Sequence, residues 1–193
     1  MSHDMRILMT RRMLKEGLLR MLEHKPLSRI SVSELCREAG VNRATFYNHY
    51  DSPLMLLKDI AEDYARSLKD IYYTENVNSG HTKEQAILAC LKYLYGKKDE
   101  IKILLSPNAE NSINGFGMEI VQNRVLNEKD AINGAFPGSY EDHFLTAVLA
   151  SSAAYGLIQV WLVRDIDKTP EEIIALLKSA FGKTIFSGYP CTQ

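Results

Sequence analysis

SVSELCREAGVNRATFYNHY, residues 31–50, is the stretch from which the rest of the chain can be read. Before its central Gly40, Val32, Leu35, Cys36 and Ala39 recur at helical spacing and form the buried side of a short helix. Ser31 or Ser33 can cap that helix, and Gly40 stops it. After the Gly, Asn42 can cap a second short helix that turns Phe46 and Tyr50 inward. A helix that only supports a core shows solvent a face of Lys and Glu. This one shows Asn42, Arg43, Ala44, Thr45, Tyr47, Asn48 and His49, which are mostly neutral hydrogen-bonding and aromatic groups.

Two helices joined by a Gly-containing turn, the first packed by aliphatics and the second displaying polar side chains, form a helix-turn-helix pattern. The major groove admits one α-helix, with the preceding helix lying across the backbone. In that pose Arg43 can fork onto guanine, Asn48 can pair with adenine, and Thr45 can meet phosphate or a thymine methyl. Tyr47 and His49 suit phosphate oxygens, and Ser31 and Ser33 can donate to them from the start of the preceding helix.

Upstream, Leu14, Leu18, Met21 and Leu22 form one stripe of a first helix that ends near His24, before Pro26. Downstream, Ser52 and Pro53 read as N-cap and first residue of a fourth helix, with Leu54, Leu57, Ile60, Ala61 and Tyr64 at helical spacing. The polar stretch TENVNSGHT (74–82) closes it. Further helical runs are predicted over 83–96, 98–104, 110–129, 139–164 and 170–186, separated by Pro107, NGAFPGS (133–139) and DKTP (167–170). No apolar/polar alternation persists long enough for a sheet. The expectation is an all-α chain of about nine helices, with a three-helix head over 1–52 and a helical body over 53–193. At 193 residues the chain can bury a sizeable core.

Total charge is balanced, with 23 Lys+Arg against 24 Asp+Glu, but its distribution is not. Residues 1–50 hold nine Lys/Arg (Arg6, Arg11, Arg12, Lys15, Arg20, Lys25, Arg29, Arg37, Arg43) against five acids (Asp4, Glu16, Glu23, Glu34, Glu38). A basic head on an acidic body fits a protein of which one part meets phosphate. Cys36, Cys90 and Cys191 lie far apart without metal-ligand spacing, which predicts free thiols in a reducing compartment. No membrane-length apolar run and no apolar leader core occur, so a cytoplasmic protein is expected. His81 with Cys90, and His143 beside Asp142 and Glu141, lack zinc-helix spacing. GFG (115–117) and GKK (96–98) lack the further glycines of a nucleotide loop, so neither catalytic residues, metal nor cofactor is expected.

Residues 8–60, with Gly40 and Val41, the polar run Asn42–Thr45, then Phe46, Tyr47 and Tyr50, resemble the DNA-binding region of TetR/AcrR-type transcriptional regulators. The stretch FLTAVLASSAAYGLIQVWLVRDIDKTPEEIIALL (144–177) resembles the dihydroxyacetone-kinase regulator subgroup of that family, while 74–140 matches no recognisable pattern. The resemblance implies a double-stranded DNA operator, a homodimer, most often a repressor, and an unidentified small-molecule effector. It puts the dimer interface on the last two helices, where Ser151, Ala154, Ile158, Leu162, Ile173 and Leu177 are the candidates. Tyr93, Phe116, Met118, Phe144, Tyr155 and Trp161 are candidate effector-pocket residues. Where the family commonly has a phosphate-contacting Lys at the start of its fourth helix, this chain has Pro53, so that contact is missing, replaced by Ser52 or a backbone N–H, or compensated by Arg11, Arg12 or Arg29. A coactivator that works mainly through a protein partner is the alternative within the same family.

Overall fold

A computed structural model describes residues 3–75, 82–109 and 139–181. Among the described residues the regular structure is entirely helical: α1 (His3–Leu22), a 3₁₀ turn (Leu27–Arg29), α2 (Val32–Ala39), α3 (Arg43–Tyr47), α4 (Pro53–Tyr73), α5 (Lys83–Gly96), α6 (Lys98–Leu104), α7 (Tyr140–Val163) and α8 (Pro170–Phe181). The run expected over 110–129 lies outside the described residues. The chain divides into two compact units, one of 1–64 with 99–114 and one of 65–98 with 115–193.

The first unit is built around α1. Leu14, Leu18 and Leu22 are fully buried on one stripe, while Met21 at its edge is half-buried. α1 stops before Pro26, and the Asn108 side chain donates to Leu22 O at 2.8 Å, satisfying one of the carbonyls left open at the helix end. α2 lies against α1 at Gly17. A Cβ built there would stand 3.1 Å from Ala39 Cβ and 3.3 Å from Ala39 Cα, so a larger residue requires α2 to give by a few tenths of an ångström.

Ser31, not Ser33, caps α2. Its hydroxyl accepts from Glu34 N–H and donates to the Glu34 carboxylate, which in turn accepts from Ser31 N–H. That reciprocal box satisfies two of the orphan donors of the first turn. Gly40 ends α2 at φ 67°, ψ 29°, in the left-handed region that side chains disfavour, and Val41 N–H donates back to Cys36 O at 2.9 Å.

α4 opens with Ser52 accepting Met55 N–H and Pro53 as its first residue. Its buried stripe is Leu56, Leu57, Ile60 and Ala61. Leu54, expected on this stripe, is exposed although it lies about 60° of helix from Leu57; it stands in the first turn of α4. Tyr64 is half-buried and its hydroxyl is bonded to Glu100 of α6.

The second unit buries Leu91 of α5, Trp161 and Leu162 of α7, and Ile173, Ile174 and Leu177 of α8. Two ion pairs join α5 to α8, Lys178–Glu84 at 2.6 Å and Lys92–Glu171 at 2.8 Å. They are exposed and add little energy each, so the apolar contact between the helices carries the packing.

Candidate nucleic-acid interface

α3 has five residues, too few to hold a helix in water on their own. Three devices hold it. Asn42 Oδ1 accepts Ala44 N–H at 2.8 Å and starts the turn. Phe46 is fully buried, a burial that contributes about 1.5–3 kcal/mol. Past the helix end, His49 and Tyr50 both donate their N–H groups to Phe46 O at 2.9 Å, and the Tyr50 ring packs 6.1 Å from that of Phe46.

With Phe46 and Tyr50 turned inward, the opposite face is what solvent sees. Asn42, Arg43, Ala44, Tyr47 and Asn48 are exposed, and Thr45 and His49 are half-buried. Tyr47 is 50% exposed and sits edge-on to Phe46, a large aromatic held out rather than tucked away. Asn48 and His49 follow the helix in a turn instead of extending it. At the start of α2, Ser33 and Ser31 are both exposed, and the Ser31 hydroxyl also takes part in its capping box with Glu34. The side chain of Ser52 is half-buried at the start of α4.

Electrostatics sort the cations of the head. Arg12 pairs with Glu16, Arg20 with Glu38 and Lys25 with Glu34. The Lys25 ammonium, then the Ser31 hydroxyl and N–H, hold the Glu34 carboxyl down at about 2. Arg11 and Lys15 converge on Asp59 of α4. Arg6, Arg29, Arg37 and Arg43 have no ion-pair partner among the described residues. These four stand without an acid beside them, while Arg12 and Arg20 remain more than half exposed in weak surface pairs. Of the three proposed to offset Pro53, Arg29 is the one left unpaired.

The feature that the sequence reading missed is the cluster around Asp59. Arg11 Nη2 donates to both Asp59 oxygens, at 2.7 and 2.8 Å, and Arg11 Nε donates to the Tyr50 hydroxyl at 3.1 Å. Tyr50 donates its own proton to Asp59 Oδ2 at 2.6 Å, Lys15 Nζ lies 2.8 Å from that same oxygen, and Lys15 also pairs with Asp63. Burial alone would raise the Asp59 carboxyl, but donors from Arg11, Lys15 and Tyr50 outweigh it and hold it at about 2. Burial, with the hydrogen bond to Asp59, pushes Tyr50 up to about 12. Arg11 is raised by the same bonds. A signal for the cluster did exist in the sequence. Arg11 and Lys15 are spaced i,i+4 on α1, and Asp59 and Asp63 are spaced i,i+4 on α4. Arg11, Tyr50 and Asp59 also line an open cleft of about 410 Å³, together with Asn48, His49 and Lys58.

In the second unit the candidate residues part company. Ser151, Leu162, Ile173 and Leu177 are buried within the chain itself, and Ala154 and Ile158 are half-buried. Trp161 is 2% exposed, stacked on Tyr95 with ring centres 5.4 Å apart, and its Nε1 donates to Lys168 O at 2.9 Å. Tyr93 and Tyr155 are half-buried, Phe144 is exposed, and Phe116 and Met118 lie outside the described residues. Among the described residues, no helix is long and apolar enough to cross a membrane, and no three His, Cys, Asp or Glu groups cluster as metal ligands would.

Comparison with known proteins matches residues 16–60 to the model for bacterial regulatory proteins of the tetR family, and residues 81–182 to the model for a transcriptional regulator C-terminal region of that type. An uncharacterized HTH-type transcriptional regulator, YxbF of Bacillus subtilis, is 21% identical over 164 residues; the match takes in 82% of this chain and 41% of the relative's length. A TetR transcriptional regulator from Streptococcus agalactiae has a similar fold, with TM-score 0.63 and 24% identity, covering 92% of this chain and 96% of that one. The dihydroxyacetone kinase operon activator DhaS aligns with TM-score 0.62 and 18% identity, covering 93% and 98%. NalD, a repressor of a multidrug efflux pump in Pseudomonas aeruginosa, aligns with TM-score 0.61 and 16% identity, covering 93% and 98%.

Proposed function

Because the chain belongs to the TetR family of bacterial transcriptional regulators, we propose that it reads a two-fold DNA operator as a homodimer and represses until an effector releases it. The observation that carries this reading is the outward face of α3. Arg43 stands there without an ion-pair partner among the described residues, beside exposed Asn42, Ala44, Tyr47 and Asn48. A guanidinium left unpaired in a head whose other cations are mostly paired is suited to guanine or phosphate. Thr45, His49, Ser33 and Ser52 fill out the same surface, with Arg29 in the role of the missing Lys at position 53.

Two heads are needed to read a palindrome, and α7 offers a surface for pairing. Leu145, Leu149, Val160 and Val163 are exposed, and at 100° per residue they fall with Gly156 within about 60° of one another. A Cβ at Gly156 would meet nothing within 4 Å among the described residues. This stripe, with exposed Leu176 on α8, is the apolar surface a second copy would cover, while half-buried Ala154 and Ile158 lie more than 100° from it, on the side of α7 that carries buried Ser151 and Leu162. The buried candidates Ser151, Leu162, Ile173 and Leu177 support it from beneath. For the effector, half-buried Tyr93 and Tyr155 with Phe144 remain the lining, and Trp161 acts as a structural post.

The test is to incubate the purified protein with sheared DNA of its source organism at about 0.15 M salt, sequence what is retained, and repeat with Asn48→Ala. A short palindrome enriched by the wild type and lost in the variant supports operator reading. No enrichment at any salt refutes it and favours the alternative, a coactivator working through a protein partner. A reporter gene behind the recovered site then gives the sign of regulation.

A further inference from the structure

We infer that Arg11 and Lys15 are positioning residues: through Asp59 they fix the Tyr50 hydroxyl and thereby the pose of the reading helix, without themselves binding phosphate. The inference rests on the operator reading above and extends it to residues on α1 and α4.

Charge is the first argument. The cluster holds two cations, Arg11 and Lys15, and two carboxylates, Asp59 and Asp63, so it is neutral as a whole. Arg11 gives Nε to Tyr50 and Nη2 to both oxygens of Asp59, while Lys15 is divided between Asp59 and Asp63. Turning Nε and Nη2 of Arg11 to a phosphate would abandon a carboxylate of which the side chain is only 17% exposed, and removing one member of such a pair strands the other, so no more than Nη1 of this guanidinium is left outside the cluster.

Geometry is the second. α3 is anchored through Phe46, and one buried ring fixes where a five-residue helix sits but leaves it free to pivot about that point. Tyr50 supplies the second anchor. Its N–H is bonded to Phe46 O, so it moves with the helix, and its hydroxyl ends on Asp59 and Arg11, so it is tied to α4 and α1. Three elements meet at one carboxylate. Base reading requires side chains placed to within a fraction of an ångström, so a pivot released at Tyr50 degrades specific contacts while leaving the general attraction for the backbone intact.

The test uses the full-length protein and the site recovered above. Specific and non-specific DNA affinities are measured across a salt series for wild type, Arg11→Gln, Asp59→Asn, Tyr50→Phe and the Arg11→Gln/Asp59→Asn double variant. Tyr50→Phe removes one hydroxyl and retains the ring, so it keeps the question open if the charge variants unfold. The expected result is a fall of about tenfold or more in the specific-to-non-specific ratio in each variant, with an unchanged salt slope. The double variant should lose no more than the worse single one, since the two groups act through one bond. A salt slope reduced by about one in Arg11→Gln, with the ratio preserved, would make Arg11 a phosphate ligand and overturn the inference. An unchanged ratio in Tyr50→Phe would overturn it equally. Amide hydrogen exchange is the independent arm, needing no DNA: faster exchange at His49 and Tyr50 than at α2 in Tyr50→Phe supports the anchor, and unaltered exchange refutes it. Failure of the wild type to retain DNA, by contrast, refutes the operator reading itself.

Discussion

Replacing Gly156 by Leu separates the chain's own folding from its pairing, because the two respond with opposite sign. Among the described residues of one chain the new Cβ meets nothing within 4 Å, and a Gly inside a helix is less favourable than a good helix former by about 0.5–1 kcal/mol. A single chain should therefore keep or slightly gain stability. In a two-fold dimer packed on the α7 stripe, the added side chain enters the interface twice. Overpacking costs about 1–3 kcal/mol per site, hence about 2–6 kcal/mol for the pair. At 1.4 kcal/mol per tenfold, the dimer dissociation constant should rise by about 30-fold to about 10⁴-fold. Sedimentation equilibrium gives the dissociation constant, and denaturant unfolding below that concentration gives the stability of the single chain, since the two are otherwise linked by mass action. A dimer as tight as the wild type would refute the placement of the interface on this stripe. A destabilised monomer would instead show that Gly156 faces packed atoms.

Gly17→Ala should destabilise the first unit by about 1 kcal/mol in urea titration, since overpacking of about 1–3 kcal/mol against Ala39 exceeds the roughly 1 kcal/mol gained in propensity; a higher midpoint would show that α2 can yield. Asp59 sits at about 2, below its ordinary 3.8, so it contributes stability above pH 3.8 that is lost as pH falls through about 2. The contribution is about 2 kcal/mol, and Asp59→Asn should flatten the acid limb of the stability profile; a limb unchanged by the substitution would assign acid unfolding elsewhere. Tyr50 is raised, so its contribution is present below pH 10 and is lost as pH rises through about 12; Tyr50→Phe should abolish that alkaline loss in the same experiment. Arg43→Ala should weaken DNA binding and lower the salt slope by about one, while Arg20→Ala, whose cation is already paired with Glu38, should leave the slope unchanged.

Much of the head was legible because its devices are local. Asn42 as cap, Gly40 as stop, Phe46 and Tyr50 as inward residues and Ser52–Pro53 as a helix start each depend on neighbours a few positions away, and each appears as read. Long-range contacts were harder. Gly17 looks like a flaw in α1 until Ala39 is set against it, and Arg11 looks like one more phosphate cation until Asp59 arrives from 48 residues away. Ser31 appears as the cap, with its hydroxyl on the Glu34 carboxylate. In the body, apolar residues at helical spacing marked α7 and α8 without telling which face turns inward. Leu162 and Leu177 proved to be core, whereas Leu145 and Leu149, which the reading passed over, are exposed. A helix that carries apolar residues around most of its circumference has no sequence signal for that choice.

The stacked pair of Tyr95 and Trp161 gives the protein an optical gauge of its own. Trp161 is the only tryptophan of the chain. Light absorbed at the red edge of the aromatic band therefore excites one place, the corner where α7 gives way to α8, with its indole nearly parallel to the Tyr95 ring and its N–H fixed on Lys168 O. The head holds no tryptophan and is dark in that channel. Unlabelled wild-type protein can thus be watched through emission from the body alone, while a dye on the DNA follows the head, and the two colours time the order in which each half of the molecule responds.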